Sequence, residues 1–206
     1  MKYALPTTPI PAAEREGINT KVLQLIASEN FQGITAEDIF QAYTGDGGLH
    51  GLDRKNYSSY SAFSSAKKEC ESGQFFTPPS LCHQIVDCIP VSDHDLVADL
   101  TMGMGNFFNF LPVEQNVYGC ELEVKAYKVA SFLYPAANLV NSDIRYYRPE
   151  QKFDIIFGNP PFNLNWKVNS DEILSQLYFL QKSGELLTQE GYWPSSHHVL
   201  FYLMIL

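Results

Sequence analysis

Apolar residues recur at helical spacing over residues 14–30, where Ile18, Val22, Leu25 and Ile26 share one face. A second helix is predicted just beyond. Thr35 and Asp38 stand three apart as a capping box, Ile34 and Ile39 form its hydrophobic staple, and Gly45-Asp46-Gly47-Gly48 closes it. After a glycine-rich loop, residues 58–71 predict a third helix with Tyr60, Phe63 and Cys70 on its face. Pro6, Pro9 and Pro11 make the opening residues an extended arm, so residues 1–72 are expected to form a small N-terminal helical region.

The pattern changes after Gly73. A helix carrying Leu81, Ile85, Val86 and Ile89 follows Thr77, its expected N-cap, and Pro78, its expected first residue. Short apolar runs then alternate with helical ones. Strands are predicted at 96–101, 117–121, 138–141 and 153–158, and helices just after the glycines near position 105, at 124–134 and at 171–187. This alternation predicts an α/β fold for residues 73–206, a parallel sheet with crossover helices, whose ligands sit beyond the carboxyl ends of the strands.

The last of these strands, Phe153-Asp154-Ile155-Ile156-Phe157-Gly158, empties into Asn159-Pro160-Pro161-Phe162. Two consecutive prolines fix two φ angles and offer no N–H, so the carbonyls of Asn159 and Pro160 are held with no donor beside them. Such a ledge suits a flat group bearing two N–H bonds, such as the exocyclic amine of a nucleobase. The Asn159 amide oxygen takes one hydrogen, the Pro160 carbonyl takes the other, and Phe162 stacks on the ring. Earlier strand ends carry acids. Asp99 precedes Gly103 and Gly105, which let the backbone approach a ligand, although the third glycine of a dinucleotide fingerprint would fall at Phe108 and is absent. Glu121 ends the next strand, where it can accept hydrogen bonds from ribose hydroxyls, and Asp143 follows the third, where its carboxylate or flanking backbone can meet an adenine edge. Three acids at successive strand ends beside a glycine turn point to an adenosine-bearing ligand. With no phosphate-gripping lysine after the glycines, a nucleoside of low negative charge is favoured.

In this order and spacing, Asp99, Gly103, Gly105, Phe107, Glu121, Asp143 and Asn159-Pro160-Pro161-Phe162 resemble the amino-group methyltransferases that use S-adenosylmethionine. Gly73-Gln74-Phe75-Phe76-Thr77-Pro78 is similar to the motif ahead of the glycine loop in N6-adenine DNA methyltransferases of restriction-modification systems. Leu100 and Met102 depart from the family, which often has Pro and a small residue there. The resemblance implies a Rossmann-like S-adenosylmethionine-dependent methyltransferase sheet. It also implies roles: Phe76 and Thr77 line the methionine end of the cofactor, with Asp99 and the backbone around Gly103 and Gly105 beside it. Glu121 holds the ribose hydroxyls and Asp143 the cofactor's adenine amine. Asn159, Pro160, Pro161 and Phe162 bind and stack a target adenine flipped out of DNA. Two fixed acceptors favour the more pyramidal nitrogen of the transition state, and no strong general base is required.

Charge narrows the picture further. With 14 basic and 23 acidic residues the net charge is −9, which argues against a broad phosphate-binding face. DNA is then met by a local basic patch or by a specificity region on another chain. Cys70, Cys82, Cys88 and Cys120 show no metal-ligand spacing and are expected as reduced thiols of a cytoplasmic protein, and His197-His198 lacks a third ligand, so no metal is expected. The family leads one to expect more strands and a target-recognition region after Phe162, so the catalytic domain is expected to be incomplete. The apolar run 199–206 is too short to span a bilayer and is expected to serve as a substitute last strand or as a contact in a homodimer. Two alternatives stand beside the DNA reading: a methyltransferase for another amine, such as protein glutamine or rRNA guanine, against which the Phe-Thr-Pro element speaks, and a non-catalytic cofactor-binding remnant acting with a partner chain.

Overall fold

A computed structural model describes residues 1–45, 54–64, 76–161, 165–168, 171–188 and 199–202. Five parallel strands form its centre: β1 (Val97–Asp99), β2 (Val117–Glu121), β3 (Asn138–Asn141), β4 (Ile155–Gly158) and β7 (Val199–Tyr202), in the order β3-β2-β1-β4-β7. Register aligns the strand ends. Asp99 stands opposite Gly119 on one side and Phe157 on the other, and Glu121 opposite Asn141. Strands β1 and β4 are buried at every position, as central parallel strands must be, whereas β3 is an edge strand with exposed asparagines at both ends. Those asparagines close the edge: Asn138 Nδ2 donates to the carbonyls of Gln115 and Val117, and Asn141 Nδ2 to those of Glu121 and Leu122. The apolar run near 199 supplies the strand beside β4, as one of its two expected roles required.

Successive residues of a strand face opposite sides of a sheet, and the core divides accordingly. Val97, Ile155 and Phe157 face one cluster, which holds α3 (Pro79–Asp87), α4 (Val124–Leu133) and the aromatic turn Asn106–Phe110. Ala98 and Ile156 face the other, built with Phe179 and Leu186 of α5 (Ser175–Leu186). The N-terminal helices α1 (Ala12–Ser28) and α2 (Ala36–Ala42) belong to the first cluster, where Phe31 stacks on Phe132 of α4 at 4.9 Å and Tyr3 on Phe40 at 5.2 Å. The Thr35–Asp38 capping box is present in full.

The expected arm is a strap fixed to the sheet domain. Asn109, buried in the turn after β1, accepts from the backbone N–H of Lys2 (3.0 Å) and Tyr3 (2.6 Å) and donates to the Tyr3 carbonyl (2.9 Å). The Tyr3 hydroxyl and Lys2 Nζ both donate to the Leu133 carbonyl at the end of α4.

The strands predicted at 96–101 and 153–158 are shorter, Val97–Asp99 and Ile155–Gly158, and three further boundaries differ from expectation. Pro78, not Thr77, caps α3, because the residue before a proline is excluded from helical geometry and only Pro79 can be the first helical residue. The Thr77 carbonyl instead accepts from Asn106 Nδ2 and Cys82 Sγ. Residues 171–174, expected as helix, form β6 (Asp171–Leu174), which pairs antiparallel with β5 (Asn165–Val168), so α5 begins at Ser175. Finally, α2 stops at Ala42, ahead of the glycines, where the Tyr43 N–H donates to the Ile39 carbonyl. Of the third predicted helix, residues 58 and 59 are a bend, 60–64 are helical, and 65–71, with Cys70, lie outside the described residues, as do His197 and His198. Cys82 and Cys120 are buried, Cys88 is exposed, and all three are unbridged. Among the described residues no helix is long and apolar enough to cross a membrane.

Candidate functional site

Three segments far apart in sequence meet at the carboxyl ends of β1 and β4. A small cleft is lined there by Phe76 and Thr77 on the approach to α3, by Asp99, Thr101, Met102, Asn106 and Phe107 at and after the end of β1, and by Asn159 after β4.

The turn after β1 is shaped by its glycines. Gly103 and Gly105 have φ of +55° and +81°, a region side chains rarely adopt. A Cβ on Gly103 would lie 2.6 Å from the Phe76 ring, and one on Gly105 would lie 2.6 Å from Phe108 and 2.9 Å from Tyr134. Close approach at Gly103 therefore couples this turn to the Phe76-Thr77 segment, whereas at Gly105 it is to core rings and not to the cleft. The Gly103 N–H donates to Glu121 Oε2 and the Glu123 N–H to Oε1, each at 2.8 Å. Burial raises the Glu121 carboxyl above its usual range, and the two N–H bonds oppose that rise while leaving lone pairs for further donors.

Asp99 is 2% exposed. Burial pushes its carboxyl up to about 7, the Thr101 N–H on Oδ1 (2.9 Å) opposes the shift, and the neighbouring Glu121 adds to it. Thr101 also reaches across to β4, since its Oγ1 accepts the Asn159 N–H at 2.9 Å. The following turn is pinned on its other side: Pro160 is fully buried, and the Pro161 carbonyl accepts the Ser175 hydroxyl at 2.6 Å. Phe162 lies outside the described residues.

Asp143 stands apart from the cleft. Arg145 Nε is 3.0 Å from both of its carboxylate oxygens, Arg145 Nη2 is 2.5 Å from Oδ2, and the Arg145 N–H donates to Oδ1. These bonds hold the Asp143 carboxyl below its usual range, and the guanidinium lies 5.3 Å from the centroid of the Trp166 ring on β5. Of the residues singled out in the sequence, Phe76, Thr77, Asp99 and Asn159 line one cleft. Gly103 and Glu121 are hydrogen-bonded beside it, and Gly105 and Asp143 face elsewhere. Thr101 and Asn106 were missed. Asn106 carried one signal, a polar residue inside the apolar run from Met102 to Phe110.

The acceptors present suit a cationic nucleoside: a buried carboxyl for an ammonium, a backbone-anchored carboxylate for vicinal hydroxyls, and the rings of Phe76 and Phe107 as apolar walls. The family model for the N-6 DNA methylases matches residues 60–190, more than half of the chain. A trans-aconitate 2-methyltransferase of Escherichia coli O157:H7 is 31% identical over 117 residues, 54% of this chain and 46% of that protein, so the chain spans about half the length of the curated relatives it matches. A class I S-adenosylmethionine-dependent methyltransferase assigned in Listeria monocytogenes shares the fold, with a TM-score of 0.53 and 11% identity over 88% of this chain and 63% of that one. A modification subunit assigned to a type I restriction enzyme of Vibrio vulnificus aligns over 64% of this chain and 35% of that one, with a TM-score of 0.48 and 18% identity. The chain belongs to the N-6 DNA methylase family and shares the fold of S-adenosylmethionine-dependent methyltransferases, and family and fold together imply S-adenosyl-L-methionine as its cofactor.

Proposed function

We propose that the chain is an N6-adenine DNA methyltransferase, or the catalytic portion of one, acting on an adenine flipped out of the duplex. The observation that carries this reading is the seating of Asn159, tied through its N–H to Thr101, in the same cleft as Phe76, Thr77 and Asp99. The cofactor supplies an electrophilic methyl group. Phe76, Thr77 and Asp99 hold its methionine end, the turn through Gly103 and Gly105 keeps that wall in shape, and Glu121 takes the ribose hydroxyls. Because Arg145 already engages both oxygens of Asp143, the backbone flanking Asp143 is the better placed of its groups to meet the cofactor's adenine edge. The Asn159 amide oxygen and the Pro160 carbonyl accept the two hydrogens of the target amine, Pro161 keeps the ledge stiff, and Phe162 stacks on the base. Preorganised acceptors of this kind are each worth about 10²–10³ in rate, against a few kcal/mol to unstack the base.

The net charge of −9 favours a DNA grip shared with another chain that carries the specificity region. The test is to incubate the chain with isotopically labelled cofactor and unmethylated duplex DNA, then digest the DNA and analyse its nucleosides by mass spectrometry. Labelled N6-methyl-2′-deoxyadenosine is expected. Label on a protein glutamine or an RNA guanine instead would move the assignment to another amine, and cofactor binding without transfer to any acceptor would leave a binding remnant.

A further inference from the structure

Asn106 holds a polar side chain at the cleft wall whose bonding is fixed and incomplete. It is 7% exposed and lines the cleft with Asp99, Thr101 and Asn159. Its Nδ2 donates to the Thr77 carbonyl at 2.8 Å. A carbonyl only accepts, so the amide cannot be turned round, and Oδ1 is left buried without a hydrogen-bond partner. A buried acceptor in that condition is costly and calls for an explanation.

We infer that Asn106 Oδ1 is a cofactor-recognition acceptor that takes an N–H of the α-ammonium of the methionine moiety, beside the carboxyl of Asp99. The inference rests on the cofactor reading of this cleft and adds a residue to it. An ammonium carries three donors and no acceptor, so it satisfies an amide oxygen and a carboxylate together, which a hydroxyl or a carboxylate ligand would not do. Asp99 fits the same ligand: its buried carboxyl, pushed up to about 7 when no cation is near, is recharged by one. Asn106 is also a clamp on Thr77, so the test must separate the clamp from the acceptor.

Two probes do this: S-adenosylhomocysteine, and 5′-S-(3-carboxypropyl)-5′-thioadenosine, which keeps the carboxylate but lacks the amine. Calorimetric titration of the unsubstituted chain should show tighter binding of the amine-bearing probe. Asn106→Ala should cut that preference by about tenfold, the scale of one hydrogen bond to a charged group. Asn106→Asp, which keeps an acceptor at this place, should retain the preference and guards against a folding defect in the alanine variant. Equal weakening of both probes by Asn106→Ala, with the preference unchanged, would overturn the inference and leave a clamp. If the unsubstituted chain binds neither probe, the cofactor reading falls and this inference falls with it.

Discussion

At the scale of single residues, the site is defined by groups that the fold holds in costly states. Gly103 combines a φ of +55° with a Phe76 ring where a Cβ would be, so Gly103→Ala is expected to destabilise the chain by about 1–3 kcal/mol. Urea unfolding measures that loss, and Phe76→Ala in the same chain should return the steric part but not the part due to φ. Full additivity of the two substitutions would show that the ring and the glycine do not meet. Asp99 gives a second outcome, one that depends on pH. Its carboxyl titrates near 7 in the folded chain and near 3.9 when unfolded, so between those values the folded state holds the extra proton. Stability of the ligand-free chain is therefore fully present at the acid end of this window and falls as pH rises through 7. An ammonium-bearing ligand favours the ionised carboxyl, so its affinity should rise with pH up to about 7 and level off above, with proton release on binding. Titration in buffers of different ionisation enthalpy measures that release, and Asp99→Asn should abolish it. A release that survives the substitution would assign it to Glu121.

At the scale of elements, what was legible in the sequence is what local chemistry decides. Thr35 and Asp38 announce their helix because a capping box is complete within four residues, and the strands Val117–Glu121 and Asn138–Asn141 fall where their apolar runs place them. What local pattern could not show was pairing. Asp171-Glu172-Ile173-Leu174 reads as the first turn of a helix until Asn165–Val168 offers it an antiparallel partner. Lys2 and Tyr3 read only as part of an extended arm because Asn109, which binds them, is more than a hundred residues away. In the candidate site, the acids and the Asn-Pro-Pro ledge were visible as motifs. Thr101 was not, since its role is a bridge between two turns, and neither was the capture of Asp143 by Arg145. The strap carries its own expected outcome. Asn109→Ala removes one donor and one doubly used acceptor from a buried place, and should cost about 2–4 kcal/mol in denaturant unfolding. A loss under about 0.5 kcal/mol would mean that the first residues add nothing to the fold.

At the scale of the whole molecule, the two cores on either side of the sheet leave Asp99, Glu121 and Asn159 together at the carboxyl end of its strands. The N-terminal strap and helices brace α4, which packs on β2 and β3 behind Glu121, and α5 follows the ledge and fixes it through Ser175. One frame thus carries the proposed cofactor residues on β1 and β2 and the ledge on β4, with Thr101 joining the two. Substituting the ledge side chain should leave the cofactor half intact, because Asn159 is tied to Thr101 by its backbone, which alanine keeps. The most direct measurement is therefore to titrate Asn159→Ala with S-adenosylmethionine and assay methyl transfer in the preparation in which the unsubstituted chain is active. Cofactor affinity should stay within about twofold while transfer falls by at least about 10². Parallel loss of binding and transfer would make the ledge a structural element, and transfer at the unsubstituted rate would remove Asn159 from the chemistry.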